Sequence, residues 1–256
     1  MKKMILASAV ASAFVGQAAY AADEAPAATP EHVVSYTVNV TSDYRFRGIS
    51  QTQKEPALQL SADYTNTPSG LYAGTFVSNV KWVQANAIAV GSNDSAPLEI
   101  DLYAGKKGDI GAGLTYDIGG IYYYFPGESL KSTDLGRSAS TLEAYGQVGF
   151  GPSYLKYSYS LTDTFAAGDK GSYYIDAGLN YPVSDKLTAN LHVGSQYYKG
   201  ATSYNYEDWK VGLSNDFGQF VGSIAYIGTN ATHSLYAWNG TTVSKDTLVV
   251  SATKSF

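Results

Sequence analysis

From His32 to the C-terminus, apolar side chains recur at every second residue. In the first run Val34, Tyr36, Val38, Val40, Tyr44 and Phe46 share one face, while Ser35, Thr37, Asn39, Thr41, Asp43, Arg45 and Arg47 share the other. Alternation sustained over about a dozen residues belongs to an extended strand with one apolar and one polar face. The pattern returns at Leu58, Leu60, Ala62 and Tyr64, at Leu98, Ile100, Leu102 and Ala104, and at Leu155, Tyr157, Tyr159 and Leu161. It returns again at Tyr173, Ile175, Ala177, Leu179 and Tyr181, and at Leu187, Ala189, Leu191 and Val193. Weaker alternation over 71–80, 110–125 and 219–229 predicts strands there but leaves their faces unassigned.

Twelve strands follow: 33–47, 56–65, 71–80, 98–105, 110–125, 141–150, 153–163, 172–181, 187–198, 204–214, 219–229 and 247–256. The connections alternate in length. Tight turns rich in Gly, Pro, Asn and Asp fall at 67–70, 106–109, 151–152, 182–186 and 215–218. Longer links fall at 81–97, 126–140 and 230–246, with shorter ones at 48–55, 164–171 and 199–203. An even strand count, strands near ten residues, aromatic strand ends, and short turns opposite long loops predict an all-β, antiparallel up-and-down transmembrane β-barrel. A sheet closed on itself pairs every backbone group in lipid without leaving an edge. The alternative is a soluble periplasmic β-sandwich, whose solvent face would call for more charge than this chain carries.

The N-terminus reads differently. Lys2 and Lys3 precede an apolar stretch from Met4 to Gly16, and Ala19-Tyr20-Ala21 supplies the small residues of a cleavage site. Residues 1–21 are therefore expected to be a signal peptide, 22–31 a disordered Ala/Pro-rich lead-in, and 32–256 the barrel. The expected location is the outer membrane of a Gram-negative bacterium with both termini periplasmic. At the other end Leu248, Val250, Ala252 and the terminal Phe256 share a face. An aromatic residue ending an alternating strand is expected to be the signal read by the barrel assembly machinery.

Composition narrows the function classes. Of 256 residues 45% are hydrophobic and only 15% charged, with 23 Tyr, 26 Gly and no Cys. Without cysteine there is no disulfide framework, thiol nucleophile or thiolate metal site. A net charge of −5 without a Lys/Arg block argues against nucleic acid as partner. Three histidines without HExxH or EF-hand spacing suggest no metal site, and no GxGxxG or P-loop follows a strand, so no cofactor is expected. His192 and Asn190 share a polar lane, but no serine sits in a nucleophile elbow, and the chain is read as no enzyme.

The segment TSDYRFRGISQTQKEPALQLSADY (41–64), followed by GLYAGTFVSNV (70–80), resembles the TorF family of porins, described also as Gcw_chp proteins. The similarity rests on Ser42, Tyr44, Phe46, Arg47, Gly48, Ser50, Gln51 and Thr52, then on Gly70, Tyr72, Ala73, Gly74, Thr75, Ser78, Asn79 and Val80. It extends through EIDLYAG (99–105), IYYYFPG (121–127), LKYSYSLTD (155–163), SYYIDAGLNYP (172–182) and the terminal SATKSF. The resemblance implies an outer-membrane β-barrel with porin function. The 81–97 loop departs from the family pattern.

With the apolar lanes toward lipid, the polar lanes line the interior. The candidates for a pore lining are Asp43, Arg45, Arg47, Asp63, Glu99, Asp101, Glu143, Lys156, Asp176, His192, Asp208 and Lys210, with Asp117 added if its strand has that phase. Acids outnumber bases, so a mild cation preference is expected. Asp43, Arg45 and Arg47 sit about 7 Å apart along strand one and are expected to form part of a constriction or bind an anionic group of a solute, or else to pair across strands with Asp63 or Glu99. Tyr36, Tyr44, Tyr157, Tyr173, Tyr181, Tyr226 and Trp209 are read as interface anchors, and Tyr103, Tyr145 and Tyr174 as inward aromatics. The function expected is passive diffusion of small polar solutes or ions, in contact with outer-membrane lipid and lipopolysaccharide. The alternative is a non-conducting barrel whose extracellular loops bind or adhere, since twelve strands lie between filled and open barrels.

Overall fold

A computed structural model describes residues 30–89, 91, 96–130 and 136–256. The expected signal peptide and all but the last two residues of the lead-in lie outside the described residues. Twelve antiparallel strands close into one barrel. They are β1 (His32–Thr41), β2 (Ala57–Asn66), β3 (Leu71–Asn79), β4 (Leu98–Gly111), β5 (Leu114–Tyr124), β6 (Thr141–Phe150), β7 (Ser153–Ser160), β8 (Asp169–Pro182), β9 (Leu187–Lys199), β10 (Tyr206–Asp216), β11 (Val221–Thr229) and β12 (Thr247–Ser255). Each strand pairs with its neighbours in sequence, and β1 meets β12 to close the circle, with Thr37 opposite Ser255 and Thr41 opposite Ser251. The seam extends to the last residue, where Phe256 and Tyr36 exchange backbone hydrogen bonds. A closed barrel excludes the sandwich.

The apolar lanes face outward. Val34, Tyr36, Leu58, Leu102, Leu155, Val193 and Val250 are all exposed, whereas Asn39, Gln59, Glu99, Asp101 and Asp208 are buried inside. The three unassigned strands now have phases. Tyr72, Phe76 and Ser78 of β3 and Asp117, Ile121 and Tyr123 of β5 are buried inward, while Ile224 and Tyr226 of β11 are exposed outward.

Two boundaries differ from the expectation. Lys106-Lys107-Gly108-Asp109 is not a turn: β4 continues to Gly111, and the chain reverses at Ala112 and Gly113, both with positive φ. Lys106 and Lys107 therefore lie in the wall, with Lys107 Nζ 5.4 Å from the Tyr72 ring centroid. The first strand ends at Thr41 rather than at residue 47.

The inward tyrosines account for four of the strand glycines. Directly opposite Tyr103, Tyr72, Tyr145 and Tyr154 on neighbouring strands stand Gly74, Gly105, Gly119 and Gly178. A Cβ on any of the four would come within 2.5 Å of the facing tyrosine ring or hydroxyl. The ring lies flat across the strand, and only glycine leaves space for it.

At the end away from the termini an apolar layer fills the barrel mouth. A helix absent from the sequence reading, α1 (Trp82–Ala89), supplies Trp82, Val83 and Ala87, which pack with Phe76, Phe125, Tyr123 and Leu130. The Trp82 and Phe125 rings meet edge to face at 5.0 Å.

Candidate functional site

After Thr41 the chain leaves the wall and folds into the barrel before rejoining it at Ala57. Within this inward segment Arg45–Phe46 and Ile49–Ser50 form a two-residue ladder. Gly48 makes the tight reversal possible. Its φ is +77°, and a Cβ there would lie 2.5 Å from Thr229 Cγ2 and 2.7 Å from Asp208 Cβ. Arg47 has φ +47°, a region costly for a non-glycine residue unless its surroundings hold it there.

Those surroundings are specific. Arg47 reaches across the lumen and grips Glu143 of β6 with both terminal nitrogens, Nη2 to Oε2 at 2.6 Å and Nη1 to Oε1 at 3.1 Å. Nη1 also donates to Gln196 Oε1 of β9 at 2.7 Å. The guanidinium lies over the rings of Tyr174 at 4.4 Å and Phe46 at 4.8 Å. Burial alone would lower its proton affinity, but Glu143, with Tyr123 and Tyr174, outweighs burial and holds the guanidinium above its ordinary value. Both side chains of the pair are almost wholly out of solvent, at 3% and 0% exposed. A bidentate pair removed from water is geometrically demanding, and breaking it leaves an uncompensated charge.

The rest of the segment is equally well partnered. Arg45 Nε donates to Asp43 Oδ2 at 2.7 Å, and its Nη1 donates to the carbonyls of Gly48, Val243 and Lys245. Ser50 donates to Asp43 Oδ1 at 2.5 Å, and Thr52 donates to the Glu55 carbonyl. Tyr44 donates to Glu99 Oε1 at 3.1 Å, and burial together with Glu99 raises its phenol well above the usual range. Phe46 packs edge to face on Tyr123 and Phe165. The Gln51 carbonyl accepts from the backbone amides of Lys81 and Trp82, tying the segment to the start of α1. The S-x-Y-x-F-R-G-x-S-Q-T block thus builds the inward segment itself.

This overturns one expectation. Asp43, Arg45 and Arg47 do not line up along a strand, and the arginines pair with neither Asp63 nor Glu99. Tyr44 and Phe46 face the interior, so Tyr44 is not an interface anchor. The period-two pattern ran on past Thr41 only because the segment alternates its own charged and aromatic contacts.

The other candidates are brought inside by their strands. Asp63 accepts from Tyr103 at 2.6 Å. Glu99 and Asp101 are buried on β4, each with one oxygen lacking a partner. Asp117, whose phase the sequence left open, accepts from Tyr72 at 2.5 Å. Lys156 Nζ sits 4.3 Å from the Tyr145 ring centroid. His192 Nε2 lies 3.0 Å from Asp208 and 2.9 Å from the Tyr174 hydroxyl, with Asp176 3.5 Å from Nδ1. Asn190 bonds Asn180 and Ser214 rather than His192, so the lane does not assemble a His–Asn pair. Phe256 is exposed at the outer rim, and Lys254 Nζ lies 5.2 Å from its ring centroid. Sequence reasoning missed Lys107, Tyr72, Tyr123, Tyr198 and Tyr206 as interior residues. The alternating partners of assigned positions could have revealed Tyr198 and Tyr206.

Between the inward segment and the wall formed by β1, β2 and β9–β12 lies a cavity of about 70 Å³. Asn39, Gln59, Asn190, Lys210, Ser223 and Ser251 give it polar walls, and Asp43 and Arg45 contribute from the segment.

The closed barrel with an apolar exterior and a charged interior is a fold shared with solved porins. The NanC porin has this fold, with a TM-score of 0.54 at 9% identity, covering 88% of this chain and 99% of that one. So does the KdgM porin in complex with disordered oligogalacturonate, with a TM-score of 0.50 at 8% identity, covering 87% and 98%. The family model described as "Bacterial protein of unknown function (Gcw_chp)" matches residues 24–256, and the chain belongs to that family. No curated protein matches it.

Proposed function

We propose that this chain is a bacterial outer-membrane porin, the TorF-type activity implied by its motif, passing ions and small polar solutes by diffusion without catalysis. The observation that carries the reading is the polar cavity inside a closed barrel, bounded on one side by a segment held in the lumen by hydrogen bonds and ion pairs. The route runs along β1 and β9–β12, where amides and hydroxyls replace the apolar packing of the opposite side. Among the described residues eight interior acids (Asp43, Asp63, Glu99, Asp101, Asp117, Glu143, Asp176 and Asp208) face five bases (Arg45, Arg47, Lys107, Lys156 and Lys210), which supports a mild cation preference. Both termini would be periplasmic. Phe256 would present its ring to the assembly machinery, and the outer wall would meet lipid and lipopolysaccharide.

The complete burial of Arg47 and Glu143 beneath the α1 layer favours a second reading, a filled barrel without conductance whose loops bind partners. Refolded protein in planar lipid bilayers separates the two. Discrete conductance steps, with a reversal potential favouring potassium over chloride in a salt gradient, are expected. A silent bilayer supports the second reading, and anion preference removes the selectivity claim.

A further inference from the structure

We propose that the cavity between the inward segment and the wall of β1, β2 and β9–β12 is a binding site for the carboxylate of a small hydroxylated solute. Two cationic side chains of different origin line it, and one of them, Arg45, has a buried donor that the barrel leaves without an acceptor. Arg45, whose side chain is 2% exposed, places Nε on Asp43 and Nη1 on three carbonyls, yet its Nη2 has no acceptor. Lys210 lines the same cavity, in no hydrogen bond or ion pair among the described residues, with Asp208 and Asp176 as its interacting carboxylates. A buried donor without an acceptor is costly, and a charged acceptor entering the cavity would satisfy Arg45 Nη2 while the Lys210 ammonium adds its attraction.

The remaining walls suit the rest of such a solute. Both Asp43 oxygens are already engaged, one by Arg45 and the other by Ser50 and Thr52, so they offer an incoming anion little unshared charge. Asn190, bonded to Asn180 and Ser214, and the mutually bonded Ser223 and Ser251 keep further donor and acceptor capacity for solute hydroxyls. Ala225, Ile227 and Val249 line an apolar strip against which a carbon backbone can lie. The overall acid excess acts at long range on small ions, whereas these donors act at contact, so cation preference in salt and carboxylate capture coexist.

The inference refines the porin reading by naming its solute class, and its test is independent of conductance. Detergent-folded full-length barrel is titrated with gluconate and, separately, with its neutral counterpart sorbitol, by calorimetry. Gluconate is expected to bind saturably and sorbitol not. Lys210→Gln should weaken gluconate binding roughly tenfold, the loss of about one charge-assisted hydrogen bond. Lys186→Gln, in the β8–β9 turn, should leave it unchanged. Equal heats for gluconate and sorbitol, no saturable binding, or identical behaviour of the two lysine variants would overturn the site. Gluconate binding by a barrel that is silent in bilayers would sink the porin reading while leaving the site standing; conductance without binding does the reverse.

Discussion

Glu143 holds Arg47, and Arg47 holds a backbone conformation that few residues other than glycine adopt. Substituting Glu143→Gln leaves a guanidinium buried without its counter-charge, a loss of about 3–5 kcal/mol for comparable pairs. The inward segment should then leave the lumen, exposing Arg45, Arg47 and Lys54. Tryptic cleavage at these three sites in folded E143Q, against resistance at Arg45 and Arg47 in wild type, is the expected readout; equal resistance would show that the pair does not hold the segment. Tyr44 adds a pH dependence. Its phenol is raised by burial and by Glu99, so its contribution is complete below the ordinary value of 10.0 and is lost as pH rises through the higher, folded value. The stability advantage of wild type over Tyr44→Phe, followed by near-ultraviolet circular dichroism on heating, should shrink above pH 10.0. An advantage independent of pH would mean that the hydroxyl contributes only packing. None of these contacts was legible from alternation, because Asp43, Arg45 and Arg47 fit a polar lane as well as Asn39 and Thr41 do. The distinguishing clue was Arg-Gly followed by Ser-Gln-Thr, a turn-forming run too polar on both faces for a wall.

Among the elements, the strands were written plainly and the departures from them were not. Two faces in two solvents impose a period of two, so β1, β2, β7, β8 and β9 could be read from their own residues. The β4–β5 turn was misplaced because Lys106-Lys107-Gly108-Asp109 has turn composition, whereas the reversal sits at Ala112-Gly113 within an otherwise bland stretch. The α1 helix escaped because eight residues inside a long link give too little periodicity to separate from loop. The inward segment is an element in its own right, and replacing residues 43–55 by a short Gly/Ser linker tests its role. If it narrows the path, the shortened barrel should conduct several-fold more than wild type in the same bilayers, with unchanged heat-modifiable migration. Unaltered conductance would place the restriction in the α1 layer instead. A smaller test concerns the tyrosine–glycine pairs: Gly74→Val should push Tyr103 off Asp63 and destabilise the barrel by about 1–3 kcal/mol, read from urea unfolding.

For the molecule as a whole, the hydropathy average conceals what the geometry separates. A mean hydropathy of −0.15 in a chain that is nearly half apolar follows when lipid and lumen positions alternate and cancel. On the porin reading, the interior charges and the inward segment would govern passage, whereas Phe256 and the exposed lanes would govern insertion. Deleting Phe256 should therefore reduce the fraction recovered in the detergent-requiring membrane pellet while leaving the conductance of protein that does insert unchanged. A loss of single-channel conductance would mean that the residue shapes the path as well.

The seam between β1 and β12 has a consequence for how this molecule can come into being. Ser42 bonds Val250, and Arg45 reaches the carbonyls of Val243 and Lys245, so the segment that follows the first strand is anchored by the stretch that enters the last. These partners lie some two hundred residues apart in the chain, and such distant contacts form late. The plug cannot be completed by a nascent or C-terminally shortened chain. One stretch of chain, from Val243 to Val250, therefore both closes the circle and fastens what lies inside it.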